Sequence, residues 1–234
     1  MKTITKIISY STFLSLLLSY PFASVLAENK PEVTVSADLV SNYIWRGQDL
    51  GGISVQPSFG ISYRGFSFTS WGSIGFDHTD PKEIDLTLDY QYGGFNIGIT
   101  DYWTNGTSSY FHYAVHNSGH VFEGNIGYDF GPVALSWYTV FAGADYYRDE
   151  ETKRAISSYF EISAPFTFAG FDWCAEIGAT PWEGAYASRF AIVNVALGAS
   201  RTLEITDRFS IPLFAKVIAN PSTESFYLVF GVTF

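Results

Sequence analysis

The segment Glu83-Ile84-Asp85-Leu86-Thr87-Leu88-Asp89-Tyr90 is apolar at every even position and acidic or hydroxylated at nearly every odd one. A period of two puts successive side chains on opposite faces of a strand, so this stretch has one apolar and one polar face. Residues 53–63 and, more weakly, 226–234 repeat the pattern. Four short motifs separate such segments: Tyr63-Arg64-Gly65-Phe66, Tyr92-Gly93-Gly94-Phe95, Phe130-Gly131-Pro132-Val133 and Phe168-Ala169-Gly170-Phe171. Each is a two-residue turn with Gly between apolar flanks. In such a hairpin the flanking residues pair and point to one face. The apolar positions are even before Gly93 and odd after Gly94, so the phase carries correctly through the turn.

This pattern predicts an all-β fold of twelve strands, at residues 33–45, 53–63, 66–76, 83–92, 95–104, 119–130, 133–142, 155–168, 171–178, 190–205, 209–219 and 225–234. The connections alternate short and long. Strands of about ten residues with short turns at one end and longer loops at the other mark a transmembrane up-and-down antiparallel β-barrel. The even strand count puts both termini on the short-turn, periplasmic side. The apolar face runs on from strand to strand through Phe66, Phe68, Ile84, Leu86, Leu88, Ile97, Ile99, Leu135 and Val195. Aromatic residues gather at both ends: Tyr63, Tyr90, Tyr92, Phe130 and Phe168 by the turns, Tyr43, Trp45 and Trp103 by the loops. Such rings match interfacial girdles. A soluble β-sandwich or lipocalin-like barrel is the alternative. It would turn its polar face outward and its apolar face inward, and a closed soluble barrel could not fill its interior with unpaired charges cheaply.

Composition narrows the classes further. Charged residues are 15% of the 234 and aromatics 18%, which excludes intrinsic disorder. A formal charge of -10 argues against a nucleic-acid partner. Cys174 is the single cysteine, so neither an intramolecular disulfide framework nor a cysteine-built zinc site is available. Residues 1–27 read as a cleaved secretory signal, with Lys2 and Lys6 before an apolar run from Ile7 to Leu18 and Val25-Leu26-Ala27 at the cleavage positions. Residues 28–234 then form the barrel domain. The expected location is the outer membrane of a Gram-negative bacterium. Phe234, ending an alternating apolar strand, resembles the signal by which barrel-assembly machinery recognises its clients.

The opening stretch, from Val35-Ser36-Ala37-Asp38 through Asn42-Tyr43-Ile44-Trp45-Arg46-Gly47, resembles the first strand of the TorF-like porin family of bacterial outer-membrane barrels. Gln56-Pro57-Ser58-Phe59, Trp71-Gly72-Ser73, Glu83-Ile84-Asp85-Leu86 and Phe122 to Gly131 also fit, and the likeness is best over residues 33–142. The resemblance implies a barrel and a porin role. It supplies no substrate and no catalytic set.

Extending the alternation gives an inward face of acids, with Arg46 and Lys216 as its clear bases. The expected pore-lining residues are Asp38, Arg46, Glu83, Asp85, Asp89, Glu123, Glu161, Asp172, Glu176 and Lys216. Cys174 falls inward between Asp172 and Glu176. One reading is a water-filled lumen whose acidic wall attracts cations. The other is a packed polar plug, in which the two bases pair with carboxylates and Tyr102, Tyr138, Tyr159 and Tyr227 close the bore. A channel of the first kind would pass small polar or cationic solutes by diffusion. Its partners would be outer-membrane lipid and those solutes, with no cofactor, metal or catalytic residue. A closed barrel acting as a surface protein shares all these features. Asp101 has lipid-facing phase and is expected at the loop-side interface, where a charge costs little, or on a bulge.

A second class rests on His116-Asn117-Ser118. Outer-membrane lipid hydrolases use a His-x-Ser pair, with His as base and Ser as nucleophile. In a strand the two residues would share the lipid-facing side. The surrounding Thr104-Asn105-Gly106-Thr107-Ser108-Ser109 instead favours a polar loop, and no third orienting residue has a recognisable spacing. His78, His112, His116 and His120 scatter along the loop side, where together they could bind a metal, although exposed loop histidines are usually just solvated.

Overall fold

The computed structural model describes residues 30–114, 117–147, 150–206 and 209–234. The signal segment, residues 1–27, lies outside the described residues, as does His116. Among the described residues sixteen strands form: β1 (Glu32–Val40), β2 (Tyr43–Trp45), β3 (Gln48–Gly51), β4 (Ser54–Tyr63), β5 (Phe66–Gly75), β6 (Lys82–Tyr92), β7 (Phe95–Thr104), β8 (His120–Asp129), β9 (Ala134–Gly143), β10 (Tyr146–Tyr147), β11 (Glu150–Arg154), β12 (Ser158–Phe168), β13 (Phe171–Thr180), β14 (Ala191–Thr206), β15 (Phe209–Asn220) and β16 (Ser225–Thr233). Twelve of them close into one antiparallel barrel in the order β1-β16-β15-β14-β13-β12-β9-β8-β7-β6-β5-β4. Every wall strand pairs with its neighbours in sequence order along the wall, as the alternation predicts.

The barrel closes where β1 meets β16, over the pairs Asp38↔Thr233, Leu39↔Val232 and Val40↔Gly231. The Phe234 amide donates to the Ala37 carbonyl at 2.9 Å, and the Ala37 amide donates to the Phe234 carbonyl at 3.1 Å. On the inner side of this seam the Thr233 hydroxyl donates to Asp38 at 2.6 Å.

The exterior is apolar. Val35, Phe66, Leu88, Ile126, Phe166, Leu228 and Phe230 are all exposed, while inward Ser54, Ser73, Glu123, Ser163 and Asn194 are buried. Leaving a large apolar side chain in water forgoes about 1.5–3 kcal/mol of burial free energy. A surface built of such residues on every strand suits lipid, not water.

One strand departs from expectation. The predicted first strand, residues 33–45, stops at Val40, and Tyr43–Trp45 folds back onto Gln48–Gly51 as a hairpin. Arg46 and Gly47 have φ of 49° and 75°. Positive φ at both central residues is the geometry of the tight hairpin turn, and Gly tolerates it without cost. The turn presses on the opposite wall, where a Cβ on Gly47 would meet the Val193 carbonyl oxygen at 1.9 Å. Asn220 donates to the Gly47 carbonyl at 3.0 Å, and Gln48 to the Ala185 carbonyl at 3.1 Å. The hairpin therefore crosses the bore. Tyr43 and Trp45, expected in the loop-side girdle, point inward instead: their rings lie 5.5 Å from Trp71 and 5.6 Å from Tyr102. The expected loop at 143–154 also contains structure, the short β10–β11 pair.

Close approach fixes a second glycine. A Cβ on Gly178 would lie 1.9 Å from the Tyr159 hydroxyl and 2.4 Å from the ring carbon bearing it. Tyr159 is fully buried and cannot swing aside. Gly178→Ala is expected to cost about 1–3 kcal/mol, the usual penalty of overpacking. Equilibrium unfolding in detergent, followed by the electrophoretic shift between folded and unfolded barrel, measures it.

Candidate functional site in the barrel interior

The inward hairpin carries Arg46 to the centre of the barrel. Its Nη1 donates to Glu123 Oε2 at 2.7 Å and its Nη2 to Glu123 Oε1 at 2.8 Å. Two parallel charge-assisted bonds of this kind are strong and directional. The side chains are 8% and 2% exposed, so the pair is almost fully dehydrated. Arg46 Nη1 also donates to the Tyr186 hydroxyl, and Tyr102 donates to Glu123 Oε1 at 3.0 Å. Aromatic faces surround the guanidinium, with Trp45 at 4.3 Å, Tyr138 at 4.0 Å and Tyr159 at 4.6 Å from ring centroid to Cζ. Such faces replace part of the cation's lost hydration.

Tyr186 comes from the connection between β13 and β14, which folds into the same bore. Burial pushes its phenol up, so it meets Arg46 as a neutral hydroxyl. The connection is pinned by Ser157. Ser157 donates from its backbone amide to Asp145 at 2.8 Å and from its hydroxyl to the same carboxylate, while the Ala185 amide donates to Ser157 Oγ at 2.7 Å.

A second charged cluster lies on the neighbouring wall. Lys216 donates to both oxygens of Glu176, at 2.9 and 2.7 Å. Asn194 reaches Glu176 at 3.4 Å and the Tyr159 hydroxyl at 3.3 Å, and Tyr159 donates to Glu161 at 2.6 Å. Tyr159 thus separates the two clusters, touching Arg46 with its ring and Glu161 with its hydroxyl.

Of the ten expected pore-lining residues, Arg46 and Glu123 form one group, and Glu161, Glu176 and Lys216 another. Glu83 and Asp85 form a third beside the hairpin. Asp38 stands at the seam. Asp89 is held by Asn96 and Asn125. Asp172 is exposed near the turn side, accepting from Thr167 at 3.1 Å. Around Arg46 the interior is packed, not water-lined: Tyr159 is 0% and Glu123 2% exposed. The expected aqueous acidic wall is therefore closed at this level by the hairpin and the Tyr186 connection. Tyr102, Tyr138 and Tyr159 point inward, as their phase suggests, and pack from the wall against the hairpin and its Arg46–Glu123 pair. Tyr227 packs instead beside the separate cluster of Ala196, Ile218 and Val229. Tyr186, Asp145 and Ser157 had no such signal, because their segments have no period of two.

The loop-side cluster resolves differently. Ser118 donates to the His112 carbonyl at 2.9 Å and accepts the His120 amide at 3.1 Å. His120 Nδ1 faces Asp101 at 2.8 Å, and Nε2 faces the Tyr110 carbonyl oxygen at 2.6 Å. Both His120 ring nitrogens are engaged away from the Ser118 hydroxyl, and His116, the residue weighed as its base, lies outside the described residues. Asp101, expected at the loop-side interface, is covered: Tyr113 donates to it at 3.1 Å and stacks on His120 at 3.9 Å between centroids. The cluster tethers the loop between β7 and β8 to the barrel rim.

No protein-family model and no curated protein matches the chain. Among solved structures, a KdgM porin aligns at 10% identity and a TM-score of 0.46, covering 87% of this chain and 98% of that one. A Salmonella typhi OmpF in complex with daunomycin aligns at 10% identity and a TM-score of 0.37, covering 86% and 97%. These alignments transfer no residue and no solute. The barrel rests on this chain's own closed sheet, and the likeness of residues 33–142 to the TorF-like porins stands as a sequence resemblance.

Losing the His120 contacts is expected to free the loop. His120→Ala forfeits two bonds to strong acceptors, worth about 1.4 kcal/mol or more together. Limited proteolysis of the folded protein should then cut residues 105–119 about ten-fold faster, with the strands still protected.

Proposed function

We propose that this protein is an outer-membrane channel for small polar or cationic solutes, in a closed state here, with the Arg46 hairpin as its gate. One observation carries the reading: the closure is made by the hairpin and the Tyr186 connection, not by the wall strands. A barrel plugged by its wall would need those strands to change. A barrel closed by a short hairpin opens when the hairpin moves.

The charge balance supports a cation preference. Five inward acids, Asp38, Asp85, Glu123, Glu161 and Glu176, are buried, and the inward bases that face them are Arg46 and Lys216. A lumen with this excess of negative charge attracts cations and repels anions. The Gram-negative outer membrane fits the apolar exterior and the short-turn placement of the termini. The TorF-like resemblance points the same way. The Arg46–Glu123 pair acts as the latch, because separating two dehydrated charges without new partners costs about 3–5 kcal/mol.

A second reading is a permanently closed surface barrel. The complete burial of Tyr159 between the two charged clusters favours it. Planar-bilayer recording on refolded protein separates the two. Under a KCl gradient, wild type is expected to open rarely, with a reversal potential favouring K⁺. Arg46→Ala removes the latch and should raise open probability about ten-fold or more, the equivalent of 1.4 kcal/mol on the closed state. Folded Arg46→Ala protein that never conducts would leave the closed-barrel reading standing.

A further inference from the structure

Beside the hairpin, Glu83 and Asp85 project from β6 to the barrel interior, where a period of two puts both on one face. Asp85 is 4% exposed. Its cross-strand neighbours are Trp71 on β5 and Tyr102 on β7. Tyr43, turned inward by the hairpin, is hydrogen-bonded to Glu83, and Glu83 in turn to Asp85. Asp85 Oδ1 is buried and, among the described residues, has no hydrogen-bond partner. Among the described residues ion pairs join Arg46 to Glu123, His120 to Asp101 and Lys216 to Glu176, and none of these three reaches Glu83 or Asp85.

This arrangement is unbalanced. Asp85 is buried and Glu83 partly so, and two adjacent carboxyls in such a setting cannot both stay ionised without compensation. A shared proton accounts for the contact between them but leaves one negative charge and the orphaned Oδ1. A buried anion without a partner is expensive, and so is an unmade bond at its oxygen. A metal ion with oxygen preference relieves both at once. We infer that Glu83, Asp85 and Tyr43 form a binding site for a hard divalent cation of the calcium type, in the barrel wall beside the hairpin. Calcium takes 6–8 oxygens in flexible geometry. Here two carboxylates and the Tyr43 hydroxyl supply the protein part, and water completes the shell. With only two acidic ligands the affinity belongs in the weak range, at a Kd of about 10⁻⁴–10⁻³ M. Binding at this site does not require that ions cross the barrel, so it stands or falls apart from conduction.

The test is equilibrium binding to the refolded full chain in detergent, with CaCl₂ as titrant and Tb³⁺ as optical probe. Tb³⁺ bound here lies near Trp71, Tyr43 and Tyr102 and emits under aromatic excitation. Wild type is expected to show saturable sensitised emission that Ca²⁺ displaces, and a rise in thermal stability with Ca²⁺. Asp85→Asn should weaken Ca²⁺ binding about ten-fold or more, the scale on which even outer-shell changes act. Glu224→Gln, in an exposed turn, should leave it unchanged. Trp71→Phe should dim the emission while keeping Ca²⁺ affinity, which locates the ion even if Asp85→Asn fails to fold. Absence of saturable emission from folded wild type would overturn the site and leave a proton-sharing pair. Undiminished binding in folded Asp85→Asn, or undimmed emission in Trp71→Phe, would overturn it too.

Discussion

A chain inside lipid has no water to complete its backbone hydrogen bonds, and this requirement governs the rest of the molecule. Each unpaired amide or carbonyl in the hydrocarbon costs several kcal/mol, so a spanning sheet must close on itself. Closure here rests on the short seam of β1 and β16, extended by the paired amide bonds of Ala37 and Phe234. Once the sheet is closed, the alternation of a strand leaves no choice. One face meets lipid and must be apolar, and the other turns inward with every polar and charged residue the strands carry.

The interior then has to be satisfied from within. Buried charges persist only when paired and hydrogen-bonded. Glu123 is met by Arg46 in two parallel bonds and by Tyr102. Glu176 is met by Lys216 and Asn194. Tyr159 joins the two clusters and fits only because residue 178 is Gly. With two inward bases for a larger number of acids, pairing cannot reach every carboxyl. Asp38 and Asp89 rely on hydroxyl and amide donors, and among the described residues one oxygen of the Glu83–Asp85 pair meets no donor. The electrostatic tension of the interior is thus concentrated beside the hairpin that closes it.

That hairpin also explains why the closure is local. β2 meets the wall through Tyr43 against Glu83 and Trp71 and Ile44 against the Ala196 cluster, the turn adds Arg46 and Gly47, and neither β2 nor β3 pairs with the barrel sheet. The wall could keep its ladder bonds intact while such an element moved. A plug made of wall side chains alone would lack this independence.

The amino-acid sequence alone determined the barrel. Strand number, order, alternating faces and the inward placement of Glu83, Asp85, Glu123, Glu161, Glu176 and Lys216 all follow from a period of two and from Gly-containing turns, which are local properties. Even Tyr138 and Tyr159 were legible as inward-facing residues, because they sit in phase on wall strands. Only the tertiary structure decided where the first strand ends, that Arg46 crosses the bore to Glu123 from 77 positions away, and that Tyr186 joins it. The physical reason is that these contacts join segments with no shared period. The pattern of Tyr43-Ile44-Trp45 continues a strand as well as it begins a hairpin. What turned it inward is the positive-φ turn at Arg46-Gly47 and the carbonyl of Val193 waiting across the barrel. Pairing of charges is likewise a matter of distance in space, which alternation places on a face but cannot assign to a partner.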